Sequence, residues 1–170
     1  GAVKEIERGM QKLKLNGAVI NGNTQGHYLD EQQFLPILEA LEANDAALYI
    51  HPVVPPRSWY APYEYRGLGG ALAGFSHEVW MHAQGLIFSG AFDRFPKLRL
   101  VIGHMGEAMP LLLYRFDWMP SNADNRPGLR GGQPPVKLKN KVSYYFKYNI
   151  WITTSGEAWE PAVKFCQDVL

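Results

Sequence analysis

Among 170 residues there is one cysteine, Cys166, so the chain builds neither an internal disulfide framework nor a site of several thiolates. A reducing compartment fits that usage, with Cys166 packing as a small apolar side chain near the end of the chain. Charge of one sign is also lacking: 17 Lys and Arg against 16 Asp and Glu leave a net +1, which gives no footprint for nucleic acid. The local cluster Lys137, Lys139 and Lys141 reads as a solvated helix face. No apolar run approaches the roughly 18 residues a membrane span needs, and the first residues lack the charged-then-apolar order of a signal peptide. A soluble, cytoplasmic protein with no nucleic-acid or membrane partner is therefore the expectation.

What remains is an ordinary globular composition, 46% hydrophobic and 19% charged, enough for one sizeable core. Val3, Ile6, Met10 and Leu13 recur at helical spacing before a short strand at Ala18-Val19-Ile20. Asp30 reads as the N-cap of a helix carrying Phe34, Ile37, Leu38 and Leu41. A strand over Ala47–His51 follows, then an aromatic, proline-rich loop from Pro52 to about Gly70. A helix from about Phe75 to Phe92 places Val79, His82, Leu86 and Ile87 inward, before the Leu98–Gly103 strand. After Gly106 comes a helix with Met109, Leu112, Leu113 and Phe116, then a surface loop over 120–135. A segment from about Val136 to Tyr145, a strand around Asn149–Thr153 and a helix over Glu157–Leu170 complete the order. Strand alternating with helix, without repeats or a shift in composition, predicts a single parallel α/β domain over 1–170.

His51 and His104 sit where apolar runs stop, Ala47-Leu48-Tyr49-Ile50-His51-Pro52 and Leu98-Arg99-Leu100-Val101-Ile102-Gly103-His104. Continuous apolar runs suit buried parallel strands, whose C-terminal ends carry the chemistry in a barrel. A histidine satisfied by a backbone carbonyl explains one such residue as well; two at matching strand ends favour function. Four strands fall short of an eight-stranded barrel, which needs about 250 residues. Either a small open sheet or one piece of a barrel is consistent with the pattern.

The segments Asn21–Asp30, Tyr49–Pro52, Gly90–Leu98, Gly103-His104-Met105-Gly106-Glu107 and Ala158–Cys166 resemble the amidohydrolase-superfamily aromatic-acid decarboxylases. Within that family the chain stands nearest the 5-carboxyvanillate decarboxylases, with γ-resorcylate and 2,3-dihydroxybenzoate decarboxylases more distant. The resemblance runs from about Asn16 to the last residue and implies a partial TIM (β/α)8 barrel of about four βα units. A typical member begins with a strand bearing an acidic or histidine metal ligand and ends with one bearing a metal-binding aspartate, and this sequence stops short of both.

The resemblance assigns His51 as a metal ligand, suited to Zn²⁺ or Mn²⁺, and His104 as the second active-site histidine. Glu107, three residues on, is then placed to hold His104 in one tautomer; its bland alternative is a first-turn glutamate favouring a helix N-terminus. Arg115 matches an arginine that pairs with the substrate carboxylate or phenolic oxygen, with a salt bridge to Asp117 as the competing reading. Asn21, Thr24 and Gln25 could line the pocket or simply make a turn. Trp59, Tyr60 and Tyr63 could close it or cover the barrel rim. Thr153-Thr154-Ser155-Gly156 offers hydroxyls to a polar mouth or to a helix cap. His82 is either a matching family position or a core histidine, and His27 and His77 carry no role.

These residues imply metal-dependent, non-oxidative decarboxylation of a phenolic aromatic acid, with a small aromatic acid as partner and a homodimer or homotetramer as the assembled state. The family's C-terminal aspartate is the expected proton donor, so the chain alone is expected to be inactive. Hydrolysis of a lactone, amide or ester by a metal-bound hydroxide, and a non-catalytic half-barrel packing module, are the competing readings.

Overall fold

The computed structural model describes residues 1–122 and 136–170. The strands β1 (Gly17–Asn21), β2 (Ala47–His51), β3 (Arg99–Ile102) and β4 (Ile150–Ile152) form one sheet in the order β1-β2-β3-β4, every neighbouring pair parallel. Doubly wound sheets reverse strand order at a switch point, whereas a barrel adds strands in chain order. The sheet is therefore one arc of a (β/α)8 barrel, four strand–helix units long.

One face of the arc is sealed. Leu48, Ile50, Leu100 and Ile102 are at most 1% exposed and pack with Leu38 and Leu41 of helix Leu35–Ala43, with Val79, Ala83, Leu86 and Ile87 of helix Gly74–Phe88, and with Val142, Tyr145 and Phe146 of helix Val142–Tyr148. The opposite row, Val19, Tyr49, Val101 and Trp151 in register, is open: Val19 is 69% and Trp151 48% exposed. The continuous apolar runs suggest strands buried on both faces, but an arc of four strands covers only its helix side. In a closed barrel the open row is the interior.

The remaining elements follow the expected order with local corrections. The first helix, Ala2–Glu7, widens into π turns over Arg8–Lys12. Asp30 caps nothing: a 3₁₀ turn, Gln32–Phe34, leads into helix Leu35–Ala43, and the preceding Glu31 carboxylate is engaged by His27 Nδ1 at 2.8 Å and the Tyr28 N–H at 2.9 Å. The proline-rich stretch contains a helix, Arg57–Glu64, entered from Pro56 at φ −53° and carrying Pro62 within it. Gly90, at φ 78°, splits the predicted long helix into Gly74–Phe88 and Ala91–Arg94.

Beyond β3 a 3₁₀ turn, Met109–Leu112, precedes helix Leu113–Asn122, so residues 120–122 are helical and the rest of the predicted loop lies outside the described residues. Lys137, Lys139 and Lys141 are exposed as expected but precede helix Val142–Tyr148 rather than lying on it. The last helix spans Glu160–Val169 and buries Cys166, a free thiol whose pKa is raised by burial.

Candidate active site

The carboxyl ends of the strands bring Asn21 and His51 side by side: they are register partners at the ends of β1 and β2, and the Gly22 N–H donates to the His51 carbonyl at 2.8 Å. His51 is exposed, and its Nδ1 lies 3.0 Å from the Pro52 carbonyl. A carbonyl accepts only, so Nδ1 carries the proton and Nε2 keeps its lone pair free. This is the arrangement in which an imidazole binds a metal through one nitrogen while a backbone acceptor orients the other.

One strand over, Gly103 ends the extended backbone and the chain enters a left-handed turn: His104, Met105, Gly106, Glu107 and Ala108 have φ of 50°, 51°, 70°, 53° and 60°. Sequence periodicity suggests a right-handed helix starting here; instead, the turn brings Glu107 Oε1 to 2.6 Å from His104 Nδ1. Met105 N–H donates to the Thr153 carbonyl at 2.9 Å, tying the turn to the end of β4. Gly156 backs the imidazole, since a Cβ there would lie 2.8 Å from His104 Cδ2. The Glu107 side chain is 2% exposed and that of His104 38%, so a buried carboxylate orients an accessible ring.

Beside His104 three hydroxyls gather. Thr153 Oγ1 lies 2.8 Å and Tyr49 Oη 3.4 Å from Ser155 Oγ, and a Cβ at Gly103 would lie 3.0 Å from both Tyr49 Oη and Ser155 Oγ. They do not cap the last helix, which begins at Glu160 after Trp159 without a side-chain cap. Tyr49 went unnoticed in the sequence, although its place two residues before His51 puts it on the same face of β2.

Glu78 was also passed over. It is 0% exposed, and its Oε1 accepts the Asn23 backbone N–H at 2.7 Å, fixing the loop after β1 from beneath. A Cβ at Gly22 would clash with the same carboxylate, so that loop requires glycine. Burial raises the Glu78 pKa, and burial together with the Glu78 charge raises that of Tyr28. Its position four residues before His82, on one helix face, was the available signal.

The other expected residues lie in the loop after β1 and on the helices. Thr24 is exposed and exchanges backbone hydrogen bonds with His27 at 2.9 and 3.0 Å, while Asn23 Oδ1 accepts Gly26 N–H, so 23–27 is a built turn. Gln25 is exposed in the same turn, at φ 53°. Tyr60 is half-buried in helix Arg57–Glu64 with its ring against Gly69, while Trp59 and Tyr63 are exposed. Arg115 is exposed near the start of helix Leu113–Asn122. Its alternative partner Asp117 is engaged elsewhere, accepting Ser143 N–H at 2.9 Å and Ser143 Oγ–H at 2.7 Å. His82 is a core histidine, accepting the Leu29 N–H through Nε2 rather than binding a carbonyl.

Among the described residues no group of three or more His, Cys, Asp or Glu side chains converges as a metal cage. Among the described residues, His51 and His104 each have Nδ1 beside an acceptor, and a metal site needs at least three protein ligands.

The sequence model of the amidohydrolase family matches residues 1–163. A γ-resorcylate decarboxylase of Polaromonas sp. is 34% identical over 162 residues, covering 91% of this chain and 48% of that protein. A 2-amino-3-carboxymuconate-6-semialdehyde decarboxylase of Dictyostelium discoideum is 30% identical over 151 residues, 85% of this chain and 39% of that one. Among solved structures, a 5-carboxyvanillate decarboxylase of Novosphingobium aromaticivorans, with bound manganese and 3-methoxy-4-hydroxy-5-nitrobenzoic acid, superposes with a TM-score of 0.92 at 44% identity over 99% of this chain and 47% of that one. A dihydroxybenzoic acid decarboxylase of Polaromonas sp., with manganese and 2-nitroresorcinol, gives 0.81 at 31% identity, 97% and 50%. The chain spans about half the length of the curated relatives it matches.

Proposed function

The chain belongs to the amidohydrolase family, and from that footing we propose that it carries one arc of the active site of a metal-dependent carboxy-lyase for phenolic aromatic acids such as 5-carboxyvanillate. The observation that carries this reading is the pairing, on one sheet edge, of His51 with a free Nε2 and His104 with its Nδ1 held by Glu107. Relatives crystallised with manganese make Mn²⁺ the expected ion, with Zn²⁺ the second choice.

A divalent metal, when bound, supplies a Lewis acid and a template that orients carboxylate and phenolic oxygens. His51 Nε2 is the donor this chain contributes to it. Decarboxylation breaks the bond from ring carbon to carboxylate, leaves the electron pair on the ring carbon, adds a proton there and releases CO₂. His104, fixed by Glu107, positions the ring, and the proton is supplied by the C-terminal aspartate that the family resemblance implies in the other half of the barrel. Arg115 supplies the guanidinium for a carboxylate, Asn21 and Thr24 hydrogen bonds at the mouth, and Tyr60 an aromatic wall. Homo-oligomerisation and a cytoplasmic setting belong to the same proposal, the second supported by the free buried thiol of Cys166.

The test replaces the matching half of the Novosphingobium aromaticivorans enzyme with residues 1–170. The graft should bind about one manganese and release CO₂ from 5-carboxyvanillate, His51→Ala should lose the metal, and residues 1–170 alone should do neither. A folded, manganese-loaded graft that releases no CO₂, or that opens a lactone or ester instead, overturns the reading.

A further inference from the structure

We propose that Tyr49, Thr153 and Ser155 form a hydrogen-bonding subsite beside His104 for an uncharged oxygen substituent on the substrate ring, a hydroxyl or methoxy group. This rests on the aromatic-acid reading above and names the feature of the substrate that these residues select. Three observations carry it.

The first is a count of hydrogen bonds. Three hydroxyls bring three O–H donors, but only two contacts join them, 2.8 Å from Thr153 Oγ1 and 3.4 Å from Tyr49 Oη, both converging on Ser155 Oγ, while Thr153 Oγ1 also accepts the Ser155 backbone N–H at 3.4 Å. At least one donor, and several lone pairs, remain for an incoming group. The second is access: both hydroxyl contacts are exposed, while the Gly103 and Gly156 backbones pack closely behind Tyr49 Oη, Ser155 Oγ and the His104 ring, where a Cβ would lie within 3.0 Å of these groups. The third is placement. Tyr49 lies on the same face of β2 as His51, and the Thr153 carbonyl anchors the His104 turn, so the hydroxyls sit between the two histidine-bearing strand ends and β4.

The cluster is uncharged. A carboxylate is better matched by a metal ion or by Arg115, whereas a neutral ring oxygen needs donors and acceptors that carry no net charge. A site built to hydrogen-bond such an oxygen discriminates against the analogue lacking it, because its own polar groups are then left unpaired.

The experiment measures direct binding to the manganese-loaded graft of two probes, 3-methoxy-4-hydroxy-5-nitrobenzoic acid and its analogue without the methoxy group. The graft should prefer the methoxy probe by about fivefold, the size of one ordinary hydrogen bond. Ser155→Ala should collapse that ratio to about one by weakening the methoxy probe alone. Tyr49→Phe, read the same way, is the second variant should Ser155→Ala fail to fold, and Thr153→Ser should retain the preference while Thr153→Val loses it. A ratio unmoved by removing the hydroxyls, or an equal loss for both probes, overturns the proposal. Because the readout is binding, a graft that keeps the ratio but releases no CO₂ would indict the decarboxylase reading instead.

Discussion

Glu107 Oε1 lies 2.6 Å from His104 Nδ1, and the carboxylate side chain is 2% exposed while the imidazole side is 38% exposed. The two are three residues apart, yet no right-handed helix joins them: five consecutive positive φ angles, from His104 to Ala108, deliver the contact. Burying a carboxylate is costly unless its oxygens are paired, so His104 and Glu107 hold each other, and the partner bond leaves Nε2 as the imidazole nitrogen open to chemistry.

Glu107→Gln keeps the shape and removes the charge that fixes the ring. In the graft it should lower kcat by about 10- to 100-fold, the usual effect of losing an orienting partner, with KM within a few-fold of the parent. Steady-state kinetics on 5-carboxyvanillate decide it, and an unchanged kcat would mean that Glu107 only supports the turn.

The left-handed turn makes a separate prediction about stability. Each non-glycine residue in this region costs roughly 1–2 kcal/mol, so Ala108→Gly, at φ 60°, should raise stability by up to about 1 kcal/mol. Gly106→Ala should do the reverse and cost more, because φ 70° is combined with a Cβ only 2.9 Å from Ile152 Cγ2. Urea midpoints of residues 1–170 and the two variants order the three proteins, and the opposite order would show that the turn is not strained.

The strand ends were legible because apolar runs closed by His-Pro and Gly-His mark where parallel strands stop, and a resemblance spread over five segments resolved open sheet from barrel arc. The left-handed turn was not legible, since only Gly106 of its five residues favours positive φ. The conformation is imposed by the Thr153 carbonyl and by the pairing of Glu107 with His104. Glu78 was missed because a glutamate in a helix reads as its wet side until the Asn23 backbone is found above it. The helix Arg57–Glu64 was hidden by its prolines, although Pro56 presets the φ at its entry. Asp30 failed as a cap because the 3₁₀ turn starts two residues later.

His82 sets how stability responds to acid. It is 1% exposed in the middle of helix Gly74–Phe88, its Nε2 accepts the Leu29 N–H at 3.1 Å, and burial pulls its pKa from 6.5 down to about 4. The Tyr28 ring meets it edge-on at 5.0 Å, Glu78 lies one turn before it, and Asp30 sits against Gly85 one turn after it. Between about pH 6.5 and 4 the unfolded chain binds the proton that the folded chain refuses, so this group withdraws stability as pH falls, by about 3 kcal/mol in all. Glu78 and Asp30 act with the opposite sign, because burial raises both their pKa values and the folded state takes up their protons first. Comparing the parent with His82→Gln, whose amide oxygen can still accept from Leu29, separates the two effects. The variant should lose stability at pH 7 through poorer packing and recover relative to the parent by pH 4.5, and urea midpoints that run parallel across that range would show that His82 does not stay neutral in the fold.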